Sequence, residues 1–241
     1  MLDDTNQPHR PHIAAILPAY NEETNIAIVL ETLRNTPMVD EIIVVDDDSA
    51  DHTVDVLNQC AALDARIRIL QHEKNQGKGQ AIFTGWNATT AAYLLLLDAD
   101  LKNLMPEHIQ ALLAPILEQR AEMTLGLFRG GHFLTDASHW LTPFLTGQRG
   151  LRADLLKHIS HEASNGYGFE VALSVAAHQC GCRTRIVVLK GVWHRPSEFR
   201  NERGIFSGGL WRYRMYGQII RAWLLASRQR YPKFKAFLEM F

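Results

Sequence analysis

The chain has 241 residues, enough for one large domain with a substantial core. With 46% hydrophobic and 21% charged residues, it is excluded from the disordered and low-complexity classes. A net charge of −1 argues against a general nucleic-acid binder, and the three cysteines (Cys60, Cys180, Cys182) fit a reducing compartment better than a disulfide scaffold. No apolar run approaches the roughly 20 residues of a membrane span. The expected location is the cytoplasm, free or peripheral at the inner face of the membrane.

Residues 1–11 read as a loose, polar leader with no signal peptide. A first strand is expected over 12–17, stopped by Pro18, which has no N–H to give a ladder. A helix follows over 26–34, with Ile26, Val29, Leu30 and Leu33 on one face. A strand over 41–45 runs into Asp46-Asp47-Asp48-Ser49, and Asp51 or Thr53 starts a helix to Leu63. A strand over 66–71, a loop over 73–79 and a helix over 80–90 precede the apolar run Tyr93-Leu94-Leu95-Leu96-Leu97. That run is apolar on both faces and too short for a buried helix, so it reads as the central strand. Alternating strands and helices predict a parallel sheet with helices on both faces.

After Asp100 the pattern changes. A helix is expected over 106–119, a strand over 123–128, polar connections at 130–132 and 146–150, and a helix over 152–159. The run 164–170 breaks the chain before another helix, a strand follows over 185–189, and 204–230 reads as a basic helix carrying Trp211, Tyr213, Tyr216 and Trp223. That last segment suits either an anionic lipid surface or packing on the domain or on a second copy.

The central strand ends on Asp98-Ala99-Asp100. Open α/β sheets bind ligands at this edge, and two carboxylates there suit a divalent cation that also holds a substrate phosphate. A strand followed by an acidic turn is the plain alternative. Asn21, Glu22, Asp47 and Lys78 fall in loops that this topology opens on the same edge. Lys78 sits between Gly77 and Gly79, which lets its ammonium come close to phosphate or sugar oxygens. The loop is not a P-loop, because the Gly-Lys-Ser/Thr pattern is missing.

Four segments in order carry a resemblance: Ile16-Leu17-Pro18-Ala19-Tyr20-Asn21-Glu22-Glu23, Val44-Val45-Asp46-Asp47-Asp48-Ser49, Asn75-Gln76-Gly77-Lys78-Gly79 and Leu97-Asp98-Ala99-Asp100. Together they resemble the GT-A glycosyltransferases of family 2. Leu145-Thr146-Gly147-Gln148-Arg149-Gly150 and Gly166-Tyr167-Gly168-Phe169-Glu170 look like acceptor-side motifs of glucosyl-3-phosphoglycerate synthases, with dolichyl-phosphate sugar synthases showing a looser version. The resemblance implies an α/β GT-A fold, Rossmann-like and mostly parallel, with a C-terminal helical extension. Its divisions would be a nucleotide-sugar half over 12–128, an acceptor half of the same domain over 129–203, and the extension over 204–241.

The resemblance also assigns roles. Asp100 would hold Mg²⁺ or Mn²⁺, with His194 as a further ligand. Asp98 would contact ribose, sugar or the cation's water shell. Pro18, Ala19, Tyr20 and Glu22 would line the base and ribose site, and Asp47 would read uracil or ribose. Lys78 would meet phosphate or sugar, and Glu170 the hexose hydroxyls, unless Glu170 is simply a helix N-terminal acid. Gly147 and Gln148 would line the sugar and acceptor pocket. Arg129 or Arg149 would hold an anionic acceptor by forked hydrogen bonds. The implied reaction moves a hexose, glucose from UDP-glucose, to a small phosphorylated acceptor such as 3-phosphoglycerate with retention. Inverting transfer to a polyprenyl phosphate is the alternative; it needs a carboxylate base, and the absence of an evident paired-acid motif in the second half favours retention. A signalling receiver domain and a nucleotidyltransferase each fit fewer of these segments, and a catalytically silent nucleotide-sugar binder or scaffold is disfavoured because none of the first-half motif residues is lost.

Overall fold

The computed structural model describes residues 11–130, 146–159 and 168–194. The expectations for 1–10, 131–145, 160–167 and 195–241, the aromatic and basic C-terminal segment included, lie outside the described residues. Strands β1 (Ile13–Ala19), β2 (Glu41–Asp46), β3 (Ile67–Gln71) and β4 (Tyr93–Leu96) alternate with helices α1 (Ile26–Arg34), α2 (Thr53–Leu63) and α3 (Lys78–Asn87). There follow β5 (Leu101–Lys102), α4 (Pro106–Leu117), β6 (Met123–Arg129), β7 (Arg149–Arg152), a 3₁₀ helix (Ala153–His158), α5 (Gly168–Gln179), β8 (Thr184–Lys190) and β9 (Trp193–His194).

Seven strands form one sheet in the order β3-β2-β1-β4-β7-β6-β8, and β5 pairs with β9 in a small separate ladder. All neighbours in the large sheet are parallel except β7, which runs antiparallel between β4 and β6. This is the α/β GT-A architecture. The chain goes from β1 outward to β3, then returns to lay β4 on the other side of β1. That reversal opens a crevice at the strands' C-terminal ends, beside Asp98.

The core follows the two-residue period of the strands. On one face Ile13, Ala15, Leu17, Leu95 and Leu97 pack with α1 and α4, while on the other Ala14, Ile16, Leu94 and Leu96 pack with α3, α5 and the 3₁₀ helix. Each layer of helices thus has its own apolar cluster. Gly85 lets α3 lie directly on β1, since a Cβ there would come within 2.6 Å of Ile16 Cγ2.

Two expectations need correction. The first strand does not stop at Pro18 but runs to Ala19, with Pro18 opposite Val45. Ile16 O accepts from Leu97 and Ala19 O from Asp47, so alternation turns Pro18 toward β4, where the register has already ended. No ladder bond is lost. The second correction concerns 146–159, read as a polar connection and a helix. It forms the inserted strand β7 and then a 3₁₀ helix. Gly150 permits this, because a Cβ there would lie 2.9 Å from the Leu112 carbonyl oxygen of α4.

Candidate active site

Elements far apart in sequence converge at the crevice. Lys78 opens α3, Asp98 follows β4, Gly147 and Gln148 precede β7, and Glu170 lies in the first turn of α5. Lys78 Nζ sits 2.6 Å from Asp98 Oδ1 and 2.7 Å from Glu170 Oε1. Gln148 Nε2 donates to Asp98 Oδ2 at 2.7 Å, so both Asp98 oxygens are bonded. Gln148 is itself held from below by Thr146 Oγ1, which donates to the Gln148 side-chain oxygen at 2.9 Å and is 2.6 Å from Gly126 O. Gly147 closes over the triad. Any Cβ at this position would meet Asp98 and Lys78 at 2.6 Å.

The electrostatics explain why these groups stay together. Burial alone would push the Lys78 ammonium down, but Asp98 and then Glu170 hold it well above the ordinary lysine value. Burial alone would raise the Asp98 carboxyl, yet Lys78, with smaller help from His194 and Gln148, holds it below the usual carboxylate range. Glu170 Oε2 is buried and has no hydrogen-bond partner among the described residues. An ionised carboxylate oxygen only accepts, so the group this atom can take is a donor such as a hydroxyl or amide.

Arg149 corrects an expectation. It was a candidate for gripping an anionic acceptor, but it is 1% exposed. Its guanidinium donates to Thr146 O, Ser174 Oγ and Glu170 O at 2.9–3.0 Å. Burial pushes its pKa down to about 10, against the opposing pull of Glu170 and Asp98, so it is a cation at neutral pH. Its work is to pin the loop before β7 to the N-terminus of α5. It also balances charge: Lys78 and Arg149 offset Asp98 and Glu170. Arg129, by contrast, is exposed at the C-terminal end of β6, on the same edge as Asp98.

Asp47 directly follows β2. Its carboxylate is 5% exposed and faces inward, accepting from the amides of Gln76 (2.8 Å) and Gly77 (2.7 Å) and pairing with His72 Nδ1 (2.7 Å). The neighbouring Asp46 is 3% exposed, stands opposite Ala19, and its Oδ1 has no hydrogen-bond partner among the described residues.

The comparisons with known proteins agree with this architecture. The profile described as Glycosyl transferase family 2 matches residues 14–187. The chain belongs to glycosyl transferase family 2. It is 28% identical over 218 residues to an undecaprenyl-phosphate mannosyltransferase of Micrococcus luteus, covering 80% of this chain and 88% of that one. It is 33% identical over 107 residues to an undecaprenyl-phosphate 4-deoxy-4-formamido-L-arabinose transferase of Proteus mirabilis, spanning 42% of this chain but 32% of that one. Among solved structures, glucosyl-3-phosphoglycerate synthase of Mycobacterium tuberculosis in complex with Mn²⁺ and UDP-glucose superposes with a TM-score of 0.71. The match covers 90% of this chain and 79% of that one at 24% identity.

For a family 2 glycosyltransferase the remaining residues fall as follows. Tyr20 is 43% exposed at the rim, and Ala19 and Glu22 are buried. Glu22 Oε2 accepts from Asn25 Nδ2 at 2.8 Å. In the β5–β9 ladder His194 stands opposite Leu101, one residue from Asp100. Among the described residues no three of His, Cys, Asp and Glu gather to form a metal cage. Asp98 is engaged on both oxygens, and Asp100 and His194 bring an oxygen and a nitrogen donor to the end of the β5–β9 ladder. That set fits a cation that takes its other ligands from substrate phosphates. Two cavities, of about 490 and 600 Å³, lie at the opposite edge, lined by Arg66 and Arg68 in one and by Trp86 and Arg152 in the other. There Arg66 pairs with Asp64 and Arg68 with Glu41. No described helix is long and apolar enough to cross a membrane.

Proposed function

We propose that the chain moves glucose from UDP-glucose to a small phosphorylated acceptor of the 3-phosphoglycerate type, with retention at the anomeric carbon and with Mg²⁺ or Mn²⁺. The observation that carries this reading is the Lys78–Asp98–Glu170 triad beneath Gly147. It combines a cation suited to a departing diphosphate with a carboxylate oxygen still lacking a donor. The fold likeness to a synthase crystallised with UDP-glucose and Mn²⁺ supports it.

The base would meet the carboxylates at the end of β2, Asp47 and its neighbour Asp46, and a carboxylate oxygen takes only a donor. Uracil offers one at its imino nitrogen, and guanine does too; adenine and cytosine have only exocyclic amines. Pro18, Ala19 and Tyr20 would flank it. Glu170 Oε2 would accept from a hexose hydroxyl. Held by Asp100 and His194, the cation would supply positive charge on the diphosphate. As the bond between the anomeric carbon and phosphate oxygen breaks, negative charge builds on that phosphate, and the Lys78 ammonium is aimed to stabilise it. Asp98 and Gln148 keep the ammonium from turning away. A departing phosphate can take the acceptor's proton, so transfer with retention needs no separate carboxylate base. Exposed Arg129 is the side chain best placed to receive an acceptor's phosphate.

The Micrococcus luteus relative favours a second reading, inverting transfer to a polyprenyl phosphate at a membrane surface. Dimer or membrane contact through 204–241 belongs with it. The deciding experiment has two arms. Calorimetry of UDP-glucose, GDP-mannose and UDP-GlcNAc, with and without Mn²⁺, on wild type and Asp100→Ala, names the donor. Turnover with 3-phosphoglycerate against undecaprenyl phosphate in vesicles, with the product's anomeric configuration read by NMR, names the acceptor. Mn²⁺-dependent UDP-glucose binding that Asp100→Ala abolishes, with an α-linked soluble product, is expected. Transfer to the vesicle lipid alone establishes the second reading, and no binding of any donor removes both.

A further inference from the structure

Arg129 and Lys190 are the last residues of β6 and β8, and the register sets them directly opposite each other. Opposed residues of two parallel strands point to one face of the sheet. Phe128 and Leu189, one step back, pack in the cluster with α4. Met123 and Leu125, an even number of residues before Arg129, pack in the other cluster, with α3 and α5. Alternation therefore turns Arg129 and Lys190 to the face of α3 and α5, the helices that bring Lys78 and Glu170 to the crevice. The two backbones are tied at this point, because the Gly191 amide donates to Arg129 O at 2.8 Å. Beyond it the chain turns at Gly130 and Gly191, with φ at +79° and +76°.

Both side chains are exposed, and neither makes an ion pair among the described residues. Arginines at the opposite edge are all neutralised: Arg66 by Asp64, Arg68 by Glu41 and Arg152 by Asp154. Two like charges opposed across strands cost stability. This pair stands at the edge where an open α/β sheet takes its ligand, and a doubly charged anion supplies what it lacks. Along that edge the order is Asp98 after β4, Gly147 and Gln148 before β7, Arg129 on β6 and Lys190 on β8. At about 4.8 Å per strand, Arg129 is roughly 10 Å and Lys190 roughly 14 Å across the sheet from the strand that carries Asp98. We propose that Lys190 joins Arg129 in a two-cation clamp for a phosphate monoester that the acceptor carries a few bonds away from its attacking hydroxyl. The proposal rests on the small-acceptor reading and deepens it. A phosphate that is itself the nucleophile must stand at the anomeric carbon, beside Lys78, and has no use for a cation three strands away.

The test compares wild type with Lys190→Ala, Lys190→Glu and Lys190→Arg. Lys190 is exposed, so all three variants are expected to melt with wild type. Inorganic phosphate, 3-phosphoglycerate and glycerate are titrated into the ligand-free protein, and the amide signals of 188–191 are followed by NMR. Lys190→Ala is expected to weaken 3-phosphoglycerate by about tenfold and Lys190→Glu by about 100-fold, while Lys190→Arg stays within about threefold. Glycerate, which has no phosphate, should not distinguish the four proteins. In turnover the KM for 3-phosphoglycerate rises by about tenfold in Lys190→Ala, and the KM for UDP-glucose moves by less than about twofold. Phosphate affinity that Lys190→Glu leaves unchanged overturns the proposal, and so does a wild type whose signals at 188–191 do not respond to phosphate. Transfer to undecaprenyl phosphate in vesicles that Lys190→Glu slows as much as transfer to 3-phosphoglycerate also overturns it, because the attacking group is then the phosphate itself. If no acceptor is glycosylated, the small-acceptor reading fails on its own, and the phosphate titration still decides the clamp.

Discussion

A methyl group on Gly147 would stand 2.6 Å from both carboxylate oxygens of Asp98. The same atom would stand 2.6 Å from Lys78 Nζ, so the loop before β7 touches the ion pair with its backbone and leaves no room for a side chain. Gly147→Ala must displace one of these groups. Because a shift of about 1 Å at a reacting group costs on the order of 10²-fold in rate, we expect kcat/KM to fall by about that factor while the fold survives. Gly85→Ala is the contrast. Its Cβ would meet Ile16 Cγ2 at 2.6 Å in the core, and that overpacking is expected to cost about 1–3 kcal/mol of stability. Thermal melting alongside donor kinetics separates the two. A Gly147→Ala variant with wild-type kinetics would show that the loop yields freely and that the close approach has no role.

The strand–helix alternation of the first half was legible because each strand there is a short apolar run ended by a polar loop. Asp98 and Lys78 were legible too, as types of residue at an expected edge, and Glu170 through the resemblance of the motif around it. Their partnership was not, because an ion triad assembled from α3, β4 and α5 leaves no periodic trace in a sequence. β7 was missed for a related reason. Arg149-Gly150-Leu151-Arg152 reads as a polar connection, and only the enclosure of Arg149 by Thr146, Ser174 and Glu170 makes an arginine acceptable in a central strand. The different partners of Asp46 and Asp47 were hidden by identity: adjacent aspartates look alike until the fold brings the Gln76 and Gly77 amides to one of them.

Arg149 offers a direct check on the correction made for it. A lysine cannot reach Thr146 O, Ser174 Oγ and Glu170 O together, so Arg149→Lys leaves buried acceptors without donors. We expect a stability loss of about 2–3 kcal/mol, measured by urea denaturation. We also expect kcat/KM to fall by one factor for charged and uncharged acceptors alike. Loss confined to anionic acceptors would return Arg149 to the acceptor site.

The triad also makes an acid-side prediction. Asp98 is held below its ordinary value of 3.8, so its paired, ionised form adds stability at neutral pH that is lost as pH falls through the lower folded value. Lys78 is held above 10.5, so its contribution is complete at any pH below that and is lost only in strong base. Acid alone should therefore dissolve the advantage of wild type over Asp98→Asn. The difference in melting temperature between them is expected to stay constant from neutrality to about pH 5 and to shrink below about pH 4. A difference that persists undiminished at pH 3 would mean that the pair contributes no charge-dependent stability.

Glu170→Gln separates recognition of the sugar from recognition of the nucleotide. Glu170 is 4% exposed, one oxygen bonded to Lys78 and the other without a partner among the described residues. If that oxygen accepts from a hexose hydroxyl, the variant loses a charge-assisted bond made only when the sugar is present. Such a bond contributes about 1.5–3 kcal/mol, so UDP-glucose binding with Mn²⁺ should weaken by roughly 10- to 100-fold. UDP itself has no hexose, and its affinity should change by less than about threefold, since Lys78 keeps Asp98 as a partner. Calorimetry of both ligands on both proteins gives the ratio directly. Equal weakening of UDP and UDP-glucose would place Glu170 with the structural charges that hold Lys78, and the hexose would have to be recognised elsewhere along the crevice.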